Sequence, residues 1–255
     1  MRLERIILAG GKKRKEFRCA KNGQVNVEHF VDRSFTTNIC GMDQAVASVN
    51  FNGDEDRMDE IEVETALDPI ALFRAWMKDA VAREVNDPDA MALATATPDG
   101  VPSVRMLLMK RVDDRGFCFY TNAESQKGSE LARNPHAAMC FHWKSLRRQV
   151  RISGTVEELS GEDADAYFNS RSRLSQFGAV ASQQSRILTS REMLVDRVKE
   201  LEREFPGEIP RPDYWRGYVL RPVRIEFWKD GEGRLHDRFI FSKNEGSWRK
   251  ERLFP

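Results

Sequence analysis

A chain of 255 residues, 40% hydrophobic and 32% charged, has the balance of a soluble globular protein and the length for one large domain or two small ones. Its 41 Lys and Arg nearly cancel 40 Asp and Glu, so global charge gives no argument for nucleic acid. No apolar run approaches the roughly 18 residues that span a bilayer, and Cys19, Cys40, Cys118 and Cys140 show neither CxxC nor metal-ligand spacing, which points to reduced thiols in a cytoplasmic protein without a metal.

Residues 1–41 carry nine Lys/Arg against four acids, and residues 42–66 carry eight acids against Arg57 alone. Such a swing between neighbours reads as an extended or disordered segment, 1–66, ahead of a folded domain at 67–255, with Met42 as an alternative start. Order is expected from Asp68-Pro69, an N-cap residue followed by proline at the first helical position. Ile70, Phe73, Met77, Ala80 and Val81 then recur at helical spacing with Trp76 beside them, up to a break at Asn86-Asp87-Pro88.

From Ala90 the period becomes that of strands. One strand covers 90–97, and a hairpin joins 103–112 to 117–121 through the polar turn Asp113-Asp114-Arg115-Gly116. A short helix at 125–133 and strands at 137–143 and 149–159 follow. Helices return at 160–171 and 175–181, and after the capping-box pattern Thr189-Ser190-Arg191-Glu192, where Leu194, Val198, Leu201 and Phe205 mark a buried face. Strands at 217–229, 234–241 and 248–252 close the chain. Antiparallel strands in close succession argue for a mainly β barrel or sandwich with flanking helices.

Four groups of residues have the chemistry of a site, each with a plainer competing account. Arg105 and Lys110, followed by the helix start at Asn122, Ser125 and Lys127, are the parts of an anion site; a hairpin with solvated charges has the same composition. Tyr167, Arg171 and Ser175 recur every four residues and suit a phosphate monoester, or else form an exposed helix end with a tyrosine on an arginine stem. Arg234, His236 and Arg238 would share one face of a strand, where three potential cations need an anion or polar ligand; a solvated face countered by Glu232 and Asp237 is the alternative. Gln184, Ser185, Gln149 and Trp228 are amides, a hydroxyl and an indole of the kind a planar heterocycle bonds to and stacks on. The sequence has no GxGxxG after a strand, no P-loop, no HExxH and no GxSxG, which argues against a Rossmann enzyme, an NTPase or a metal hydrolase.

Taken in order, RMLLMK, FYTN, SxKG, RRQV, YFxSR, SQFGAVAS with a following QS, IEFW, GRLHDR and the ERLFP ending resemble the pyridoxamine (pyridoxine) 5′-phosphate oxidase family over residues 68–255. The resemblance implies an FMN-binding split barrel, six-stranded, antiparallel and Greek-key, assembled as a homodimer with FMN between the subunits. It implies that Arg105, Met106, Lys110, Tyr120, Thr121, Lys127, Gln149, Gln184, Ser185, Trp228 and Arg238 hold FMN, some of them from the partner subunit. Lys110, Tyr167, Arg171 and Ser175 would clamp the substrate phosphate, with Arg234 and His236 as the catalytic pair against the pyridine ring. The implied reaction passes hydride from C4′ of pyridoxine or pyridoxamine 5′-phosphate to flavin N5, and O2 reoxidises the flavin to give H2O2; the amine route ends in hydrolysis of an imine and release of ammonia. The chain departs from the family at the acidic segment 42–66, where a basic, tyrosine-containing segment is usual, and at Gln126, where arginine is usual. A phenazine-pathway oxidase and a non-catalytic flavin or pyridoxal-phosphate carrier are the competing functions on the same fold.

Overall fold

The computed structural model describes residues 63–255, so the charge swing lies outside the described residues except for its last four positions. Those four are already ordered: Val63–Thr65 form a helical turn, and Val63 is buried in the main core, ahead of the expected onset at Asp68. Helix α1 (Pro69–Arg83) is capped as its sequence predicts, Asp68 accepting from the Ile70 N–H at 2.8 Å. Its buried stripe is Leu72, Phe73, Trp76 and Ala80. Val81, expected inside, is 64% exposed, because one residue past Ala80 turns the side chain a further ~100° off the stripe.

Among the described residues, nine strands form one antiparallel sheet: β1 (Ala90–Ala96), β2 (Pro102–Leu108), β3 (Arg111–Asp113), β4 (Gly116–Asn122), β5 (His136–Trp143), β6 (Arg148–Glu158), β7 (Trp215–Lys229), β8 (Asp237–Asn244) and β9 (Ser247–Arg252). Six of them pair in the order β2-β1-β5-β6-β7-β4; β3 adds to β4, and β8 with β9 adds to β7. The hairpin expected between 103–112 and 117–121 is not one unit. β2 pairs with β1 along its whole length, the run breaks at Met109-Lys110, and only β3 reaches β4. β2 and β3 thus stand at opposite ends of the pairing order and are joined by two residues. The sheet has to curl until its ends approach, which is how a barrel arises.

Strand β7, 15 residues long, is the spine. β6 covers one edge throughout; the other edge is taken by β4 as far as Leu220 and by β8 from Arg224. Pro222 falls at the handover and beside a bulge opposite Ser153/Gly154, a place where a missing N–H leaves no ladder bond unmade. Gly154 is required there, since a Cβ would sit 1.9 Å from the Arg221 carbonyl oxygen.

Inside the curl, Phe73 of α1 packs edge-on to Phe117 (4.9 Å) and Phe141 (5.1 Å), and Trp76 to Phe227 (5.1 Å). Arg148, 1% exposed, ties α1 to the start of β6 through Asp79 at 2.9 Å. A second core of Phe168, Phe177, Leu201, Ile209 and Trp215 sits under the helices α3 (Gly161–Ser170), α4 (Arg173–Ala181) and α5 (Arg191–Glu204), whose N-caps are Ser160, Ser172 and Ser190. The short helix α2 (Gln126–Arg133) follows β4 and is capped by Ser125. The strand expected at 234–241 begins only at Asp237; Glu232–Arg234 is a 3-10 turn. Among the described residues no helix is long and apolar enough to cross a membrane, and Cys118 and Cys140 are unpaired.

Candidate functional site

A cleft of about 560 Å³ opens between β4, the β2–β3 link and helices α3 and α4. Eight residues singled out from the sequence line it: Lys110, Tyr120, Thr121, Asn122, Tyr167, Arg171, Ser175 and Gln184. Tyr120 stacks on Tyr167 (4.2 Å) and on Trp215 (5.4 Å), giving the cleft an aromatic wall. Arg171 lies over the Trp215 ring at 5.1 Å. Its Nη1 is buried without a hydrogen-bond partner, and burial pushes the guanidinium pKa down, with Tyr167 opposing. A buried N–H of a cation left unmade is costly, and an anion in the cleft would satisfy it. The guanidinium thus rests on Trp215, with the Phe168 ring at 6.0 Å. Ser175 and Ser172 share a hydroxyl contact at 2.8 Å, and Lys110 reaches Asp89 at 2.8 Å.

Beside this cleft, Lys127 in the first turn of α2 folds its side chain inward. Its Nζ lies 2.9 Å from Gln184 Oε1 and 3.3 Å from both Thr121 Oγ1 and Ser125 Oγ. It is 5% exposed; burial and then the Arg105 charge press its pKa down to about 8, with Glu130 opposing. Ser185, held at a left-handed φ of 73°, accepts from the Gln126 N–H at 3.2 Å. The Gln126 and Gly128 N–H groups are already taken by Ser185 and Ser125, so a phosphate at this helix start would meet chiefly the Lys127 ammonium and the Ser185 hydroxyl, with the positive end of the helix behind them.

Arg105 takes a different course from Lys110. Its guanidinium donates to Thr95 Oγ1 and Ser103 Oγ, each at 2.6 Å, and to Leu93 O at 3.1 Å. Those two hydroxyls in turn donate to Glu130 Oε2 at 2.5 and 2.6 Å, while Gln126 Nε2 donates to Oε1 at 2.9 Å. Burial would raise the Glu130 pKa, but hydrogen bonds from Ser103, Thr95 and Gln126 and the charge of Arg105 hold it at about 2. Glu130, Thr95 and Ser103 were not anticipated. Thr95 and Ser103 are register partners across β1 and β2, a relation legible only once the strands are paired. Met106 alternates to the other face of β2, where it is 65% exposed beside Val104 and Leu108.

The remaining predicted residues gather elsewhere. Gln149 faces Trp228 across β6 and β7, and Trp228 faces Arg238 across β7 and β8. His236 lies against Trp228 with ring centroids 4.8 Å apart. The expectation of three cations on one strand face fails, because Arg234 and His236 precede β8 and lie in the turn, and Arg238 is neutralised by Glu226 at 2.8 and 2.9 Å. Trp215 at the cleft and Trp228 here are thirteen residues apart on β7, on the order of 40 Å of strand. The residues singled out from the sequence therefore fall into two groups near opposite ends of the longest strand.

Comparison with known proteins covers most of the described chain. Residues 77–204 match the family model described as pyridoxamine 5′-phosphate oxidase, and 215–255 that of the pyridoxine 5′-phosphate oxidase C-terminal dimerisation region. A pyridoxine/pyridoxamine 5′-phosphate oxidase of Gluconobacter oxydans is 56% identical over 194 residues, 76% of this chain and 97% of its own length. One from Agrobacterium fabrum is 56% identical over 74% of this chain and 93% of its own. Among solved structures, PhzG from Burkholderia lata 383, in complex with tetrahydrophenazine-1-carboxylic acid, is 33% identical, covers 82% of this chain and 98% of its own, and superposes with a TM-score of 0.72. A pyridoxamine 5′-phosphate oxidase-related, FMN-binding protein from Nostoc punctiforme shares the fold at 20% identity and a TM-score of 0.60, covering 74% of this chain and 99% of its own.

Proposed function

This chain belongs to the pyridoxamine 5′-phosphate oxidase family, and from that premise we propose how its residues divide the work. Its activity is the oxidation of pyridoxine 5′-phosphate and pyridoxamine 5′-phosphate to pyridoxal 5′-phosphate, with FMN as cofactor. The observation that carries the assignment of the substrate site is the buried, unpartnered Nη1 of Arg171 in a cleft that also presents Lys110, Tyr167 and Ser175. A dianionic phosphate would complete that arrangement, and its remote contacts would place the reacting carbon.

The residues fit FMN as well. Lys127, Arg105 and the α2 N-terminus would hold its phosphate, with Thr121, Gln184 and Ser185 alongside. When bound, FMN supplies the hydride acceptor for substrate C4′, and O2 takes up the electrons as H2O2. Water releases ammonia when the amine is the substrate. Gln149, Trp228, Arg238, Arg234 and His236 are too far along β7 to serve the cleft of their own protomer, so the partner of a homodimer would contribute them, placing FMN at the subunit interface. The dimerisation region at 215–255 and the apolar outer face of β2 with Val104, Met106 and Leu108 support that assembly. We further place residues 67–255, together with the core-packed 63–66 ahead of them, in one oxidase domain of a cytoplasmic protein whose described thiols are free.

An oxygen-coupled assay with each 5′-phosphate tests the assignment. Pyridoxal 5′-phosphate should appear with one H2O2 per turnover, and with ammonia from the amine alone. Absence of product from an FMN-loaded protein that turns over a reduced phenazine carboxylate would overturn it in favour of the phenazine-type reading. Bound flavin that fails to bleach anaerobically with either 5′-phosphate would overturn it in favour of a carrier.

A further inference from the structure

The loop from Asp230 to His236 is a built turn. A Cβ at Gly231 would stand 2.1 Å from Leu235 O, and Gly233 and Arg234 both adopt left-handed φ, 61° and 65°. A side-chain-bearing residue in that region is strained, and such strain persists only where the surroundings over-determine it. The turn folds His236 back so that its Nδ1 accepts from the Gly231 N–H at 3.1 Å and lies at ion-pair distance, 2.9 Å, from Asp230 Oδ1. Asp230 Oδ2 is ion-paired with Arg147, and the Asp230 N–H donates to Arg147 O at 3.0 Å. The Asp230 and His236 side chains are only 19% and 22% exposed, so the contact is sheltered.

These two contacts make opposite demands on one nitrogen. A carboxylate beside Nδ1 selects the ring form with the proton on Nδ1, which leaves Nε2 as an acceptor in the neutral imidazole. The Gly231 N–H alone would select the opposite tautomer, with Nε2 as a donor. We propose that Asp230, backed by Arg147, is a positioning residue for the oxidation: it fixes the His236 ring and its tautomer, and so sets whether Nε2 accepts or donates towards the substrate. The proposal rests on the reading of His236 as a contact of the substrate ring. Removing the carboxylate leaves the Gly231 N–H unopposed and inverts the polarity of Nε2, a change distinct from loss of the turn.

The test uses the FMN-loaded dimer. His236→Ala, Asp230→Ala and the double variant are compared in steady state, and imidazole nitrogens are followed by long-range 1H–15N NMR, with the His236 signals assigned from their loss in His236→Ala. Asp230→Ala should lower kcat on the order of tenfold or more with FMN content kept. The double variant should be no slower than His236→Ala, and the His236 proton should move from Nδ1 to Nε2. Additive losses, or an unmoved tautomer in Asp230→Ala, would overturn the proposal. Unchanged turnover in His236→Ala would instead overturn the underlying reading of His236, and the proposal with it. Should Asp230→Ala fail to fold, Asp230→Leu, close to aspartate in size but without an acceptor beside Nδ1, carries the same cycle with the same expected directions.

Discussion

Replacing Gln126 by arginine restores a cation at the start of α2 and tests whether that helix end holds the FMN phosphate. In the native chain Gln126 Nε2 donates to Glu130 Oε1 at 2.9 Å, and Glu130 already answers Arg105 through Thr95 and Ser103. The apoprotein therefore has Arg105 and Lys127 facing one carboxylate, and Lys127 feels the surplus, its pKa pressed to about 8 by burial and by Arg105. A third cation without an anion would worsen that repulsion; with a dianionic phosphate in place it adds a charge-assisted hydrogen bond of about 1.5–3 kcal/mol. At about 1.4 kcal/mol per decade, FMN Kd should fall on the order of 10- to 100-fold, while the apoprotein loses some thermal stability. Fluorescence titration of apoprotein with FMN, alongside melting curves with and without the cofactor, reads both effects. Unchanged FMN affinity in a folded variant would refute the placement of the phosphate at α2.

Four further outcomes follow from the same geometry. FMN affinity should weaken as pH rises past about 8, up to tenfold per pH unit, because the apo Lys127 ammonium, depressed from 10.5 by burial and Arg105, loses its proton there; titrations from pH 7 to 10 should show it, and Lys127→Met should flatten the profile. The apoprotein alone should move the other way in that range, gaining stability between pH 8 and 10.5, where the unfolded chain still binds the Lys127 proton and the folded chain does not. Arg171→Ala should raise the KM for both 5′-phosphates by on the order of 10- to 100-fold, since it removes a charged donor whose Nη1 has no protein partner, with FMN content unchanged; equal loss of bound FMN would move Arg171 to the cofactor. Arg234→Ala should lower turnover far more than FMN content, and proportionate loss of both would count against its contact with the substrate.

Much of this protein is legible locally. Caps and breakers at Asp68-Pro69, Ser125, Asn134-Pro135 and Ser160 place helix ends to within a residue or two, because the groups that satisfy a helix terminus are neighbours in sequence. Residue types carry the site chemistry too: Tyr167, Arg171 and Ser175 do share a cleft with Lys110 and Tyr120. What alternation could not supply was which strands pair. An unbroken run at 103–112 suggested a hairpin, yet the chain kinks at Met109-Lys110 and sends its two halves to opposite ends of the curled sheet. That kink also separates Arg105, committed to Glu130, from Lys110 in the cleft. Likewise the strand reading of 234–238 missed the left-handed turn that presents Arg234 and sets His236 on Asp230, because positive φ at a non-glycine residue has no local signature. Local patterning set the helix ends and the kinds of group available for binding. The Glu130 network, the separation of Trp215 and Trp228 along β7 and the contacts of His236 came from tertiary structure, since each depends on contacts between residues distant in the chain or on backbone angles that side-chain patterning does not encode.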